Sequence, residues 1–149
     1  MNAPRLADLV PHRAPMLLLD ELIDSDDTGA TCAVTIRANS MFAEGGSVPA
    51  WVALEYCAQC VAVFAGLQAQ KRGEPPRLGL LVSAREITLE TDTFSPGDRL
   101  VVQVRHEFGE VRVGRFECSV TRAGQPVAKA SLSVYQPEQR DVGGKSGEA

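Results

Sequence analysis

The sequence lacks several features that would point to common classes of protein. It has no run of about 18 uncharged apolar residues, so we expect no transmembrane helix. The longest apolar segment, residues 49–70, is interrupted by Glu55 and three glutamines. The chain has no basic patch and a formal net charge of −4, which argues against nucleic acid as the main ligand. Its start, MNAPRLADLV, has no basic segment before a long apolar run, so we expect no secretory signal and a cytoplasmic protein.

Cysteine and histidine are too few, or wrongly spaced, for a disulfide framework or a zinc site. The four cysteines are Cys32, Cys57, Cys60 and Cys118, and in a cytosolic chain of 149 residues we expect them to stay reduced. Cys57 and Cys60 form a C-x-x-C inside a predicted helix, away from the helix N-terminus that favours a reactive thiolate. No second C-x-x-C or pair of histidines completes a zinc site. We therefore expect core packing for the cysteines, no metal and no organic cofactor.

What the sequence does contain is one long helix between segments with strand periodicity. The segment PAWVALEYCAQCVAVFAGLQAQ, residues 49–70, begins with proline, which is favoured in a first turn, and ends near Gly73. A polar turn at 26–29 separates two strands before the helix. The polar, glycine-rich residues 137–149 predict a flexible tail after a single domain, 1–136. The predicted strands are 16–27, 30–38, 78–90, 99–108, 111–121 and 127–135.

The predicted helix has no broad polar face. A helix that is apolar on every side is expected to be buried, and one helix is buried on every side only if something wraps it. A strongly curved antiparallel sheet of five to six strands could do so. The sequence therefore predicts an α+β protein with the hot-dog fold. Subunits of this fold generally pair edge to edge, which removes an exposed edge strand.

Glu55 is the residue of this helix that most needs an explanation. A buried carboxylate costs several kcal/mol unless it is paired, protonated or in use, so Glu55 is a candidate active-site acid. The alternative is a structural carboxyl that is hydrogen-bonded to the backbone or to Gln59. Gln59 lies one turn further on and about 40° around the helix. It could orient Glu55, or it could simply be a satisfied buried amide.

Two segments resemble the bacterial 3-hydroxyacyl-acyl-carrier-protein dehydratases. LVPHRAPMLLLDE, residues 9–21, is similar to the family's Leu-Pro-His-Arg-x-Pro opening. VPAWVALEYCAQ, residues 48–59, matches a helix start where the family has Pro-Gly, then the acid, then Ala-Gln. PAWVALEY looks most like the branch associated with aryl polyene biosynthesis. The resemblance implies dehydration of a 3-hydroxyacyl thioester to the trans-2-enoyl thioester, on acyl carrier protein or coenzyme A, with the substrate carried on phosphopantetheine.

One departure from the family's pattern concerns the general base. The family has a histidine in a His-Phe-Pro-Gly loop fourteen residues before the acid, whereas Met41-Phe42 stands there in this chain. No histidine occurs between His12 and His106. His12 is therefore the candidate base; the alternative is that it fastens the N-terminal segment to the backbone. His106, which alternates with apolar strand residues, is expected to be a packed or edge histidine.

The predicted substrate contacts lie near the acid, at the helix start and in the preceding loop. A helix N-terminus can stabilise the negative charge that gathers on a thioester carbonyl. Ala50 replaces the family's glycine there, and we expect a helix N-terminal N–H to remain available. In the related enzymes the partner subunit completes the site, so we expect a homodimer or heterodimer. The predicted contacts are Pro11, Met16, Met41, Phe42, Pro49, Ala50, Trp51 and Gln59.

Two other functions remain open at this stage. Hot-dog thioesterases use a helix carboxylate to activate water or attack the thioester, and they do not need the loop histidine. Alternatively, the chain could be a non-catalytic subunit that binds acyl carrier protein or completes a heterodimer. With a 3-hydroxyacyl thioester, an enoyl product supports dehydration and free thiol supports hydrolysis.

Overall fold

The computed structural model of this protein describes residues 5–10, 15–75, 80–109 and 113–135. A long helix α2, Ala53–Lys71, continues from a single 3₁₀ turn, Ala50–Val52, close to the predicted bounds. A short helix α1, Leu6–Leu9, ends against it. A Cβ atom at Gly66 of α2 would lie 1.9 Å from the Leu9 carbonyl oxygen, so only glycine permits this approach. The predicted tail, residues 137–149, lies outside the described residues.

Six strands form one antiparallel sheet that packs against α2, which confirms the predicted hot-dog architecture. The strands are β1 Glu21–Asp26, β2 Gly29–Thr35, β3 Val48–Pro49, β4 Leu80–Leu89, β5 Thr93–Phe94, β6 Arg99–Gly109, β7 Val113–Arg122 and β8 Gln125–Tyr135. The order in the sheet is β1-β2-β6-β7-β8-β4, and β3 pairs with β5 in a separate short ladder that the periodicity did not predict.

The first predicted strand was too long at its start. Strand β1 begins at Glu21, whereas residues 16–20 are not in a strand. The physical reason is that the backbone of 16–18 is hydrogen-bonded to a side chain of α2 instead of a neighbouring strand. A two-residue turn joins β7 to β8. Its two central residues, Ala123 and Gly124, have φ of 51° and 78°, as a type I′ hairpin requires.

Alternating strand residues and one side of α2 form the core. Leu100, Val102 and Val104 of β6 are fully buried, as their alternation predicts. Burial of α2 on every side, however, was a wrong expectation, because the sheet covers only part of the helix. The residues of α2 and its preceding turn that remain partly or largely exposed are Trp51, Leu54, Glu55, Ala58, Ala62, Ala65, Leu67, Gln68, Gln70 and Lys71. By length and composition the segment Ala50–Lys71 could cross a membrane, but 61% of its most apolar window is buried in the fold, which is typical of a core helix.

Strand β4 forms one edge of the sheet and carries apolar side chains that face outward. Leu81, Val82, Ile87 and Leu89 are between 39% and 64% exposed. An edge strand also presents N–H and C=O groups that no strand of the same sheet pairs. This edge therefore has the properties of a surface that a second subunit covers, as predicted for a hot-dog protein.

Candidate active site

Gln59 is the fully buried amide around which this site is organised. Its Oε1 accepts the N–H of Leu18 at 2.8 Å, and its Nε2 donates to the carbonyl oxygen of Met16 at 2.6 Å. Nε2 also donates to Glu55 Oε2 at 3.0 Å. Both amide hydrogens and one oxygen lone pair are used, so this network determines the orientation of the amide. The predicted hydrogen bond from Gln59 to Glu55 is confirmed.

Glu55 is half-buried, not sealed in the core, and this makes its carboxyl accessible. Within the described ranges, Gln59 is the sole hydrogen-bond donor to this carboxyl. Since Oε2 is already an acceptor, a proton on the carboxyl belongs on Oε1. The arrangement therefore presents one held oxygen and one oxygen that can exchange a proton with a bound molecule. The catalytic roles of Glu55 and Gln59 stay predictions.

The start of the helix is hydrogen-bonded to the backbone that follows β4. Ala50 is 2% exposed, and its N–H donates to the Asp92 carbonyl oxygen at 2.9 Å. The Ala50 N–H is therefore occupied, and a donor for a substrate must come from a later residue of the first turn. Pro49 has no N–H and pairs with Thr93 in the short ladder. The next first-turn donor is the N–H group of Trp51, since Val52 is fully buried and lies within the 3₁₀ turn.

Phe42 and Trp51 form an exposed aromatic pair next to this helix start. Their ring centroids lie 6.0 Å apart in an edge-on arrangement, and the residues are 38% and 54% exposed. Phe42 has a φ of 72°, which is unfavourable for a bulky residue. Turn hydrogen bonds on both sides, from Ser40 to Arg37 and between Glu44 and Ser47, hold the loop in this conformation. Such strain is often found at functional sites.

A cleft of about 510 Å³ lies beside this loop, and Met41 is one of its walls. Tyr56, which sequence reasoning missed, forms another wall and is 2% exposed. Burial, and secondarily the charge of Asp20, raise the pKa of Tyr56 to about 12. The signal for Tyr56 in the sequence is its position next to Glu55 on the predicted helix. The lining residues are Pro15, Leu17, Leu18, Asp20, Val34, Thr35, Arg37, Asn39, Ser40, Met41 and Tyr56.

The structure tests the prediction for His106 but not the one for His12. His12 and Pro11 lie outside the described residues, so their roles stay predictions. His106 packs against Phe116 and Phe64, with ring centroids 4.9 Å and 6.2 Å away, which confirms the expected packed histidine. Phe64 is nine residues beyond Glu55 on α2, about 13 Å along the helix, so His106 lies far from the carboxyl.

The cysteines are confirmed as core residues. All four are buried and unpaired by disulfides. The Cys60 sulfur lies 3.6 Å from the carbonyl oxygens of both Ala30 and Val102, and its single S–H can donate to either. A hydrogen bond with Cys32, together with burial, raises the pKa of Cys60. In the same way, a hydrogen bond with Cys57, together with burial, raises the pKa of Cys118. Thiols held in the neutral form are poor nucleophiles and metal ligands, and the described ranges contain no cluster of metal ligands.

Comparison with known sequences places the chain among dehydratases. The profile of the ApeP-like family, described as ApeP dehydratase, matches residues 4–143. The 3-hydroxyacyl-[acyl-carrier-protein] dehydratase FabZ of Brucella ovis is 28% identical over 139 residues, covering 87% of this chain and 84% of the relative. The FabZ of Brucella abortus is similar to the same extent.

Comparison with solved structures agrees with the sequence comparison. The dehydratase heterocomplex ApeI:P from Xenorhabdus doucetiae superposes with a TM-score of 0.88 at 27% identity, covering 95% of this chain and 96% of the other. A hypothetical thioesterase from Streptococcus pneumoniae, solved with coenzyme A, superposes with a TM-score of 0.61 at 14% identity over 78% of this chain and 84% of its own. At that identity the likeness is one of fold alone.

Proposed function

Because this chain belongs to the ApeP-like dehydratase family, we propose that it removes water from a 3-hydroxyacyl thioester on acyl carrier protein to give the trans-2-enoyl thioester. The similarity to FabZ over 87% of the chain supports this substrate class. The observation that carries the proposal is the hydrogen bond from Gln59 to Glu55, which holds Oε2 and leaves Oε1 for the substrate hydroxyl.

The reaction needs a base at C2 and an acid at the C3 hydroxyl. The base takes the C2 proton, the electrons of that C–H bond form the C2–C3 double bond, and the C3–O bond breaks. Glu55 Oε1 gives its proton to the departing hydroxide, which leaves as water. The hydrogen bond from Gln59 then stabilises the carboxylate. The N–H group of Trp51 stabilises the charge on the thioester oxygen. Proton transfer from the base back to Glu55 restores the enzyme.

His12 is the base that we propose for this chain, with Met41 standing in place of the family's loop histidine. His12 precedes Met16 by four residues, so their Cα atoms are at most about 14 Å apart. The Met16 carbonyl is bound to the amide that also holds Glu55, which brings this segment to the acid. The alternative is a base from the partner subunit.

The partner in our proposal is a second hot-dog subunit that covers the β4 edge and the half-exposed stripe of α2. The exposed residues Leu81, Val82 and Trp51 support such an interface. The relative from Xenorhabdus doucetiae is described as a heterocomplex, which favours a different chain over a second copy. Native mass spectrometry of the chain, alone and co-expressed with other hot-dog chains of its organism, distinguishes a homodimer from a heterodimer.

The cytoplasm is the compartment that we propose for this reaction. Cys32, Cys57, Cys60 and Cys118 are all reduced, although Cys60 and Cys32 are hydrogen-bonded neighbours. Reduced thiols in such proximity suit a reducing compartment.

Glu55→Gln tests the proposed acid, and Glu21→Gln, an exposed carboxyl paired with Arg99, is its matched control. The assay follows the enoyl product and free thiol from a 3-hydroxyacyl carrier-protein thioester. We expect the Glu55 variant to fold normally and to lose at least about two orders of magnitude in rate, with the control unchanged. Unchanged turnover by Glu55→Gln would exclude the acid role, and free thiol without enoyl product would favour a thioesterase.

A further inference from the structure

Residues 16–20 form a short segment that is hydrogen-bonded to helix α2 at its start and to strand β2 at its end. At the start, the Gln59 side chain binds the Met16 carbonyl oxygen at 2.6 Å and the Leu18 N–H at 2.8 Å. At the end lies Asp20, which is not part of the Gln59 network. The contacts of Asp20 therefore need an explanation of their own.

Asp20 binds this segment to β2 through both its backbone and its side chain. Its N–H donates to the Ala33 carbonyl oxygen at 2.8 Å, and its Oδ2 accepts the Thr35 N–H at 2.7 Å. The pairing of β1 with β2 ends at Ala33, so the Thr35 N–H binds the Asp20 carboxylate in place of a strand carbonyl. The other oxygen, Oδ1, is 3.4 Å from Arg37 Nη1, which is long for a charge-assisted hydrogen bond. The contact with Thr35 is therefore the one that fixes the carboxylate.

The segment has little freedom to move between its two attachments. A single residue, Leu19, separates Leu18 from Asp20, and Leu19 is 4% exposed in the core. The Cα atoms of Leu18 and Asp20 are at most about 7 Å apart. A displacement of Asp20 is therefore transmitted to the Leu18 N–H and to the amide of Gln59. The same amide donates to Glu55 Oε2 at 3.0 Å.

We propose that Asp20 is a positioning residue for the reaction: its carboxylate, bound to the Thr35 N–H, holds residues 16–18 where Gln59 can orient Glu55. The inference rests on the proposed function, because that function makes the orientation of Glu55 matter for the rate. Asp20 acts through the backbone of 16–18 and the Gln59 amide, and not on the substrate. Loss of its carboxylate lowers the fraction of molecules in which Glu55 is correctly oriented. A carboxylate with a purely structural role would change stability and leave kcat unchanged.

Two substitutions of Asp20 separate the hydrogen bond from the charge. Asp20→Ala removes the acceptor of the Thr35 N–H. Asp20→Asn keeps an oxygen for this hydrogen bond and removes the negative charge. If the hydrogen bond holds the segment, the asparagine variant should therefore retain most of the function that the alanine variant loses.

Asp26→Ala is the matched control, because Asp26 is also a carboxylate that accepts backbone N–H groups. Its Oδ1 accepts the N–H of Thr28 at 2.8 Å and that of Gly29 at 3.0 Å. The next residue, Asp27, binds Lys71 at the end of α2. That end lies sixteen residues, or about 24 Å, along the helix from the proposed acid. The control thus removes a similar carboxylate at a distant place.

The kinetic test is a double-mutant cycle between Asp20 and Gln59, measured on the assembled enzyme with a 3-hydroxyacyl carrier-protein thioester. We expect Asp20→Ala to lower kcat about tenfold with a smaller change in KM, and Asp20→Asn to stay within about threefold of wild type. Because Asp20→Ala and Gln59→Ala disturb the same carboxyl, the double variant should be at most about twofold slower than Gln59→Ala alone. Asp26→Ala should keep the wild-type kcat.

Hydrogen exchange of the Leu18 amide tests the same link without a substrate. In the folded single variants, we expect Asp20→Ala to increase the exchange rate of this amide by about tenfold or more, and Asp26→Ala to leave it unchanged. Urea unfolding verifies that each variant is folded. This measurement still decides the matter if the double variant does not fold.

Three results would overturn the proposal: a kcat of Asp20→Ala equal to that of the control, rate losses of Asp20→Ala and Gln59→Ala that multiply, or unchanged exchange at Leu18. A failure of the proposed function has a different signature. It appears as unchanged turnover by Glu55→Gln, whereas each of the three results above is compatible with a large loss of rate in that variant.

Discussion

The Gln59 amide donates to Glu55 Oε2 at 3.0 Å, so a residue with no exposed surface determines how the accessible acid is oriented. The same nitrogen donates to the Met16 carbonyl at 2.6 Å. One side chain thus links the acid of α2 to the segment that follows His12. Movement of either group would disturb the other through this amide.

Replacement of Gln59 tests this coupling. Gln59→Ala leaves the Met16 carbonyl and the Leu18 N–H without their partner, and we expect the free energy of unfolding to fall by about 2–3 kcal/mol. We expect kcat to fall about tenfold or more, with a smaller change in KM, because Glu55 loses its orientation but the binding surfaces remain. Urea unfolding and steady-state kinetics measure the two effects.

Gln68→Ala is the control for this experiment. Gln68 lies on the same helix, and its buried Nε2 has no hydrogen-bond partner in the part of the chain that the structure describes. We expect little loss of stability or rate from this variant. An equal effect of the two substitutions would mean that the Gln59 network has no special role.

His12→Gln tests the proposed base. An imidazole base is active only when neutral, so the wild-type rate should rise with pH through the ordinary histidine range. We expect the variant to lose about 100-fold in rate and to lose this dependence on pH. A pH–rate profile of the assembled enzyme measures both. Full activity of the variant would assign the base to the partner subunit.

Val82→Lys tests whether β4 is the subunit interface. Val82 is 64% exposed on this edge, and a charge there opposes burial against a second strand. We expect dissociation into monomers in sedimentation experiments, and a loss of activity if the partner completes the site. Ile23→Lys, on the opposite edge strand β1 and 45% exposed, is the control that should leave the assembly intact. If only Ile23→Lys caused dissociation, the interface would have to lie at β1 and not at β4.

Tyr56 should make stability depend on alkaline pH. Its pKa is near 10 in the unfolded chain and about 12 in the fold, so the unfolded chain releases its proton first. This contribution is complete below pH 10 and is lost as pH rises from 10 to 12. Urea unfolding at pH 9 to 11 should therefore show a smaller decline for Tyr56→Phe than for wild type. Identical declines would show that Tyr56 ionises normally in the fold.

The elements that local patterns specify could be read from the sequence. Alternation predicted the buried faces of β6, β7 and β8. The apolar run from Pro49 predicted the helical segment Ala50–Lys71, the 3₁₀ turn together with α2, within one residue at each end. The spacing of Glu55 and Gln59 predicted their hydrogen bond, because residues four apart lie on one face of a helix. These properties depend on neighbours within a few positions along the chain.

The rest depends on residues far apart in sequence. The N–H of Ala50 is used because the Asp92 carbonyl folds back to it, and Tyr56 lines a cleft because residues 15–20 and 37–41 close around it. Residues 16–18 leave the strand pattern because the Gln59 amide competes for their backbone groups. Local sequence determined which faces of the helix and strands are apolar. Tertiary contacts decided which polar groups are satisfied and which remain available for a substrate, since that depends on partners the chain brings together only when it folds.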